Sequence, residues 1–261
     1  MTNRTPQVEV PSAAQRVVVV TGSAQGIGRS MARAFVKDGY RLVVADRNLA
    51  KARDVAAECR SDGGQAMAAE VDVADPGSVE NMVALTVQEF GRIDVLINNA
   101  ALFSTLPMQP FDDISPEDWD AVIRVNLTGV FLCCRAAAKH MRAQRSGTIV
   151  NMSSATVLFG RPHYLHYVAS KSGVIGLTRA LARELGEYDV TVNAILPGSV
   201  ATEIERASVT STQADAIVAA QSVHRRLVSD DIVGTALFLA SPAARRISGQ
   251  SLVVDGGANF V

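Results

Sequence analysis

The chain has 261 residues and a formal net charge of −1; 48% of its residues are hydrophobic and 20% charged. That composition excludes a disordered chain, and the near-neutral balance argues against a nucleic-acid backbone as partner. Its three cysteines, Cys59, Cys133 and Cys134, form no C-x-x-C pair, and their odd number speaks against a disulfide framework. A reducing, cytoplasmic setting is therefore expected. Residues 1–14 read as a polar tail without an apolar signal core, and the apolar runs look strand-sized, so neither secretion nor a membrane span is expected.

Short valine-rich runs alternate with amphipathic stretches along the chain. Arg16–Val20 is a predicted strand, followed by a glycine-rich turn and a helix through Met31–Asp38. Arg41–Ala45, Gln65–Val71 and Ile93–Ile97 are the next strands, separated by helices over Asn48–Cys59 and Pro76–Phe90. The Ser115-Pro116-Glu117-Asp118 capping pattern opens one long helix over Glu117–Gln144. Strand Thr148–Met152, helix Tyr164–Glu187, strand Val190–Ile195, helix Asp230–Ala240 and strand Ser251–Val254 complete the series. Unbroken Val/Ile/Leu strands are those of a parallel sheet covered on both faces. The expected fold is α/β: one Rossmann-like doubly wound sheet of about seven strands over 15–261. Ser199–Arg226 is polar and weakly periodic, and is predicted to be a lid over the substrate.

The first βα turn reads Thr21-Gly22-Ser23-Ala24-Gln25-Gly26-Ile27-Gly28. Glycines at 22, 26 and 28 permit a tight turn, and a helix opening there directs N–H groups and a positive dipole end at a pyrophosphate. A glycine triplet is weak evidence alone; here it follows a valine strand and opens a helix, as the motif requires. Asp46 stands at the end of the second strand, where a carboxylate accepts from both ribose hydroxyls and repels a 2′-phosphate, which favours NAD. Helix capping is the competing role for Asp46, and Arg47 beside it weakens the case for NAD; Gln25, being uncharged, strengthens it.

Tyr167 and Lys171 are four apart on a predicted helix and share a face. A tyrosine titrates near 10 in water, and a neighbouring ammonium lowers that value, so such a pair suits proton exchange with an alcohol or carbonyl oxygen. By spacing alone it is equally a surface pair. Ser153-Ser154, Asn98-Asn99 and Pro197-Gly198 end other strands at the same predicted edge, where ligands of such sheets bind.

Together these features resemble the short-chain dehydrogenase/reductase family, from about Val17 to Gly257. The resemblance rests on the glycine turn, Asp72-Val73, Asn98-Asn99-Ala100, Asn126, Ser154, Tyr167-x-x-x-Lys171, Pro197-Gly198…Thr202 and Asp255-Gly256-Gly257. Ala stands in Asn98-Asn99-Ala100-Ala101 where the family often has Gly. The resemblance implies Tyr167 as general acid/base, Lys171 as its modulator and a ribose ligand, and Ser154 as donor to the substrate oxygen, with Ser153 the adjacent alternative. Asn126 would hold a relay water through its side chain. Gly22, Gln25, Gly26, Ile27, Gly28, Asp46, Asp72, Val73, Asn99, Tyr167 and Lys171 would bind the cofactor, with Pro197, Gly198, Val200 and Thr202 framing the nicotinamide. It also implies a homotetramer.

Pocket walls are expected from Leu102–Phe111, Ala155–His166 and the lid. Val157, Leu158, Phe159 and Tyr164 suggest a cyclic, aromatic or otherwise apolar alcohol or ketone; His163 and His166 are expected at the surface or in packing. No His/Cys cluster has metal-ligand spacing, so no metal is expected. The reading is an NAD-dependent secondary-alcohol dehydrogenase or ketone reductase. The alternatives are an NADPH-dependent 3-oxoacyl-carrier reductase and a catalytically idle nucleotide-binding scaffold.

Overall fold

The computed structural model describes residues 16–204 and 211–260, except for the side chains of 211–213. The predicted tail, and residues 205–210 of the predicted lid, lie outside these.

Strand β1 (Val17–Thr21) leads through α1 (Gly26–Lys37) to β2 (Arg41–Asp46), and α2 (Leu49–Ser61) leads to β3 (Ala66–Glu70). After α3 (Pro76–Phe90) and β4 (Val95–Asn98) come α4 (Pro116–Ile123), α5 (Gly129–Gln144) and β5 (Gly147–Met152). The short α6 (Thr156–Phe159) and long α7 (Leu165–Leu185) precede β6 (Val190–Pro197). Then follow β7 (Val200–Ala201), α8 (Ser211–Ala219), β8 (Leu227–Val228), α9 (Ser229–Ala240) and β9 (Ser251–Val254). Seven parallel strands form one sheet in the order β3-β2-β1-β4-β5-β6-β9; β7 and β8 pair separately. This is the expected doubly wound sheet. Its order reverses between β1 and β4, the point at which such sheets hold ligands beyond their carboxyl ends.

The reason for unbroken apolar strands is visible in the burial. Every residue of β1 and β5 is buried, because α1, α2 and α9 cover one face of the sheet and α3, α5 and α7 the other. Each fully buried Val, Leu or Ile side chain contributes about 1.5–3 kcal/mol. The interior also holds a polar ladder. Asn98 Nδ2 donates to Asn151 Oδ1 at 2.8 Å, and Asn151 Nδ2 to Thr178 Oγ1 at 2.9 Å, joining β4, β5 and α7.

Two expectations need refinement. The helix over Glu117–Gln144 is present but not uniform: a π-turn over Arg124–Thr128 joins α4 to α5 within it, with Asn126 at its centre. Such turns are frequent at functional sites. The same stretch, Pro116–Gln144, is long and apolar enough to cross a membrane by length and composition, with a mean hydropathy of 1.5 over its best window. Reading uninterrupted apolar runs missed it because small and polar residues punctuate the stretch. In this fold half of that window is buried, as in a core helix of a folded domain.

Candidate active site

A cleft of about 940 Å³ runs along the carboxyl ends of the strands, from the β1–α1 turn to α8. At one end the backbone shapes it. Gly22 has φ +62°, and a Cβ there would stand 2.7 Å from Ala100 Cα. At Gly28 a Cβ would lie 2.2 Å from the Gly22 carbonyl oxygen and 2.6 Å from Asn99 Nδ2. No side chain fits either place, so the turn folds tightly against the end of β4. Asn99 holds it there, its Nδ2 donating to the carbonyls of Thr21 (3.0 Å) and Gly22 (2.9 Å).

Asp46 ties the turn to β2. The Ala24 N–H donates to its Oδ2 at 3.0 Å and the Asn48 N–H to its Oδ1 at 2.9 Å. The helix-capping role belongs to Asn48, whose side chain accepts from the Lys51 N–H. Asp46 thus keeps further lone pairs on the cleft side, since a carboxylate accepts about four hydrogen bonds. Arg47 also lines the cleft, and Lys51 Nζ donates to Gln25 Oε1 at 3.4 Å.

At the other end the chemistry is carried by side chains. Tyr167, Lys171 and Ser154 all line the cleft and are all buried. Lys171 Nζ donates to the Met152 carbonyl at 2.8 Å and lies 5.8 Å from the Tyr167 ring centroid. Burial brings its pKa down to about 8. The Tyr167 ring packs 4.7 Å from Phe103 and 6.2 Å, edge-on, from Tyr164. The two serines differ in their commitments. Ser153 gives its proton to the Lys171 carbonyl at 2.8 Å. Ser154 Oγ accepts from Thr156 N (3.2 Å) and Thr156 Oγ1 (2.9 Å), which leaves its own proton to give.

Gly22, Gln25, Gly26, Ile27, Gly28, Asp46, Asp72, Val73, Asn99, Pro197, Gly198, Val200 and Thr202 line the same cleft. Asn126 does not. Its side chain is spent behind the wall: the Leu102 N–H donates to Oδ1 (2.7 Å), and Nδ2 donates to the Leu102 carbonyl (3.1 Å) and Ser170 Oγ (3.3 Å). Ser170 in turn donates to the Tyr167 carbonyl at 2.7 Å. Instead of a side-chain ligand for water, Asn126 is a brace between the 102–103 loop and the catalytic helix. Its amide is satisfied by backbone that only the tertiary structure brings near.

Phe159 lines the cleft as expected; Val157 and Leu158 do not, and Tyr164 stands behind the surface as a buried support. His166 is fully buried outside the cleft, and burial lowers its pKa. His163 is exposed, with φ +64°. The predicted lid contains α8, whose Ala216 and Ile217 face the cleft; its helical pattern is too short and too mixed to stand out in the sequence.

Three residues escaped sequence reasoning. Thr156 supports Ser154. Arg161 lines the substrate end. Glu203 reaches across 177 positions to accept from the Gly26 N–H at 2.8 Å, which holds its carboxyl below the usual range. The first two lie within an expected pocket wall, but no spacing marks them; Glu203 follows Thr202 without any signal of its own.

These residues fit a dinucleotide. A turn that admits no Cβ, N–H groups at a helix start and an acid at the end of β2 form one continuous wall.

Known proteins resemble this chain over most of its length. Residues 22–259 match the family described as enoyl-(acyl carrier protein) reductase. A 3-oxoacyl-[acyl-carrier-protein] reductase of Synechocystis is 40% identical over 245 residues, covering 93% of this chain and 96% of that protein. A D-threitol dehydrogenase of Mycolicibacterium smegmatis is 38% identical over 242 residues, covering 93% of this chain and 92% of its own. An L-rhamnose 1-dehydrogenase (NAD(P)(+)) of Azotobacter vinelandii is 37% identical over 248 residues, covering 93% and 96%. The crystal structure of a Sinorhizobium meliloti protein, provisionally named a short-chain alcohol dehydrogenase, superposes with a TM-score of 0.88 at 33% identity, covering 93% of this chain and 96% of that one.

Proposed function

The chain belongs to the short-chain dehydrogenase/reductase family of nicotinamide-dependent oxidoreductases, and on that premise we propose that it interconverts a secondary alcohol and a ketone with NAD(H). The reading rests on one observation above all: Tyr167, Lys171 and Ser154 meet in the same cleft as the glycine turn and Asp46.

When bound, the nicotinamide supplies the hydride to the carbonyl carbon or takes it from the carbinol carbon. The protein does the rest. Ser154 donates to the substrate oxygen and fixes its place, with Thr156 holding Ser154 in orientation. Tyr167 gives that oxygen a proton in reduction and withdraws it in oxidation. The Lys171 ammonium, anchored on the Met152 carbonyl, stabilises the phenolate by charge and would hold the ribose of a bound cofactor. The packing of Phe103 and Tyr164 keeps the Tyr167 ring in one position. Leu102, Phe103, Met108, Phe159 and Ile217 favour a substrate with an apolar, cyclic or aromatic frame.

Asp46 supports NAD, because a second negative charge placed against its carboxylate is repelled. Arg47 and Lys51 favour a second reading, an NADPH-dependent reductase of 3-oxoacyl-carrier substrates, since both cations stand at the same end. Replacing Asp46→Ala separates the two. If NAD is the cofactor, the ratio of kcat/KM for NAD over NADP falls about tenfold or more, one charge–hydroxyl hydrogen bond being worth about 1.5–3 kcal/mol. An unchanged ratio in steady-state assays with both cofactors sinks the NAD reading.

We further propose a cytoplasmic homotetramer with no metal, nucleic-acid or membrane partner. Three buried, unpaired thiols support the reducing compartment, with Cys133 pushed up to about 12 by burial. Exposed Phe131 on α5 and Leu165 on α7 support association through those helices.

A further inference from the structure

The substrate end of the cleft carries a cation that the proton transfer does not use. Arg161 follows α6 and lines the cleft beside Phe159 and Pro162. Its Cζ lies 4.8 Å over the ring of Tyr164, whose centroid is 6.2 Å from that of Tyr167. One aromatic ring therefore separates the guanidinium from the catalytic ring. Its only side-chain hydrogen-bond contact among the described residues is a weak one, Nη2 to Met108 Sδ at 3.9 Å. No carboxylate pairs with it among the described residues.

A guanidinium has five N–H donors. A ring face and a thioether leave most of them without a protein acceptor, on the half-buried wall of the cleft. Nearby negative charge is already committed. Asp255 lines the cleft but accepts from Gly257 N, Ala258 N and Asn259 Nδ2. Asp46 and Asp72 belong to the nucleotide end.

We propose that Arg161 is the specificity-determining residue of the substrate subsite, binding an oxyanion, a carboxylate or a phosphate, on an otherwise apolar oxo or hydroxy substrate. This rests on the oxidoreductase reading above and narrows it. Tyr164 backs the guanidinium on the cleft wall, and the carbonyl at Tyr167 and the anion at Arg161 fix the substrate at two points. A neutral alcohol of the same frame has only one. The carboxylate of a small oxo acid and the phosphate of a phosphopantetheine arm are the two sources of that chemistry.

The test compares probes that differ only in charge. 4-Oxocyclohexanecarboxylate is set against its methyl ester, and acetoacetyl-phosphopantetheine against acetoacetyl-pantetheine. Each is assayed for NADH-dependent reduction and for binding to the enzyme–NADH complex by nicotinamide fluorescence, in wild type, Arg161→Met and Arg161→Lys. The expected result is a loss of about 30-fold in kcat/KM and in affinity for one of the charged probes in Arg161→Met, the scale of a charge-assisted hydrogen bond. The matched neutral probe stays within about twofold, and Arg161→Lys recovers part of the loss. The charged probe that responds identifies the source. If charged and neutral probes fall together, Arg161 only supports Tyr164 and the proposal fails. It fails too if no charged probe responds, or if none binds the wild-type complex. If charged probes bind through Arg161 but none is reduced, the anion subsite stands and the reading of the reaction falls.

Discussion

The two ends of the cleft are built from different materials. The nucleotide end is made of backbone: a turn that no Cβ can enter, N–H groups at the start of α1, and Asn99 clamping main-chain carbonyls. The substrate end is made of side chains from separate loops and helices: Phe103, Thr156, Arg161 and α8. A backbone site has few solutions, so it fixes the cofactor class. A side-chain site changes with one substitution, so it sets the substrate while the fold persists.

If the ends are separable in this way, Tyr167→Phe removes the proton donor and at most one hydroxyl contact to the cofactor, leaving the glycine turn and Asp46 intact. Turnover falls about 10³-fold, within the usual range for a general acid/base, while the Kd for NAD by titration calorimetry stays within about twofold. Loss of NAD binding in a folded Tyr167→Phe protein overturns the division.

Glu203 is where the two ends touch. It belongs to the segment after β6, yet its carboxylate occupies the Gly26 N–H at the start of α1, where a pyrophosphate draws on the same positive dipole end. Glu203→Gln keeps an oxygen acceptor and removes the charge. Affinity for ADP-ribose rises about fivefold, the scale of one partly screened like-charge contact, and affinity for adenosine does not change. Equal Kd values for ADP-ribose in the two proteins show that Glu203 does not compete with phosphate.

Lys171 serves both ends, and its burial has a pH signature. Its pKa falls from 10.5 to about 8 on folding. Below pH 8 both states carry the proton, and the penalty of burying it is constant. Between pH 8 and 10.5 the unfolded chain binds the extra proton, so stability gained from this residue rises with pH. The melting temperature of wild type minus that of Lys171→Met therefore increases by about 5 °C across that window. A flat difference by calorimetry shows that the ammonium is better solvated than its burial implies.

The same division explains what was legible. The sheet, its single fold and the glycine turn could be read because each constrains residue type locally. A buried parallel strand needs a valine-rich run, and Gly22 and Gly28 stand where any side chain collides. Tyr167 and Lys171 could be read because helical spacing alone places them on one face. Asn126 was found but its contacts were not. They depend on a π-turn and on Leu102, 24 positions away, which no periodicity reports. Thr156 and Arg161 are ordinary residues by type. Their roles come from what the α6 region lies against: Ser154 on one side, Tyr164 and Met108 on the other.

The sequence by itself determined the parallel sheet, the glycine turn and the shared helix face of Tyr167 and Lys171, because these rest on interactions within a few residues or on steric limits that only glycine meets. Only the tertiary structure decided which serine has a proton to give, what Asn126 holds, that Glu203 reaches the start of α1, and that Arg161 lines the substrate end of the cleft. Asn126 and Glu203 meet partners 24 and 177 positions away, and Ser153 and Arg161 meet partners 18 and 53 away, distances over which local pattern carries no record. Even the near contacts of Ser154 and Arg161 depend on rotamers and turns that periodicity does not report.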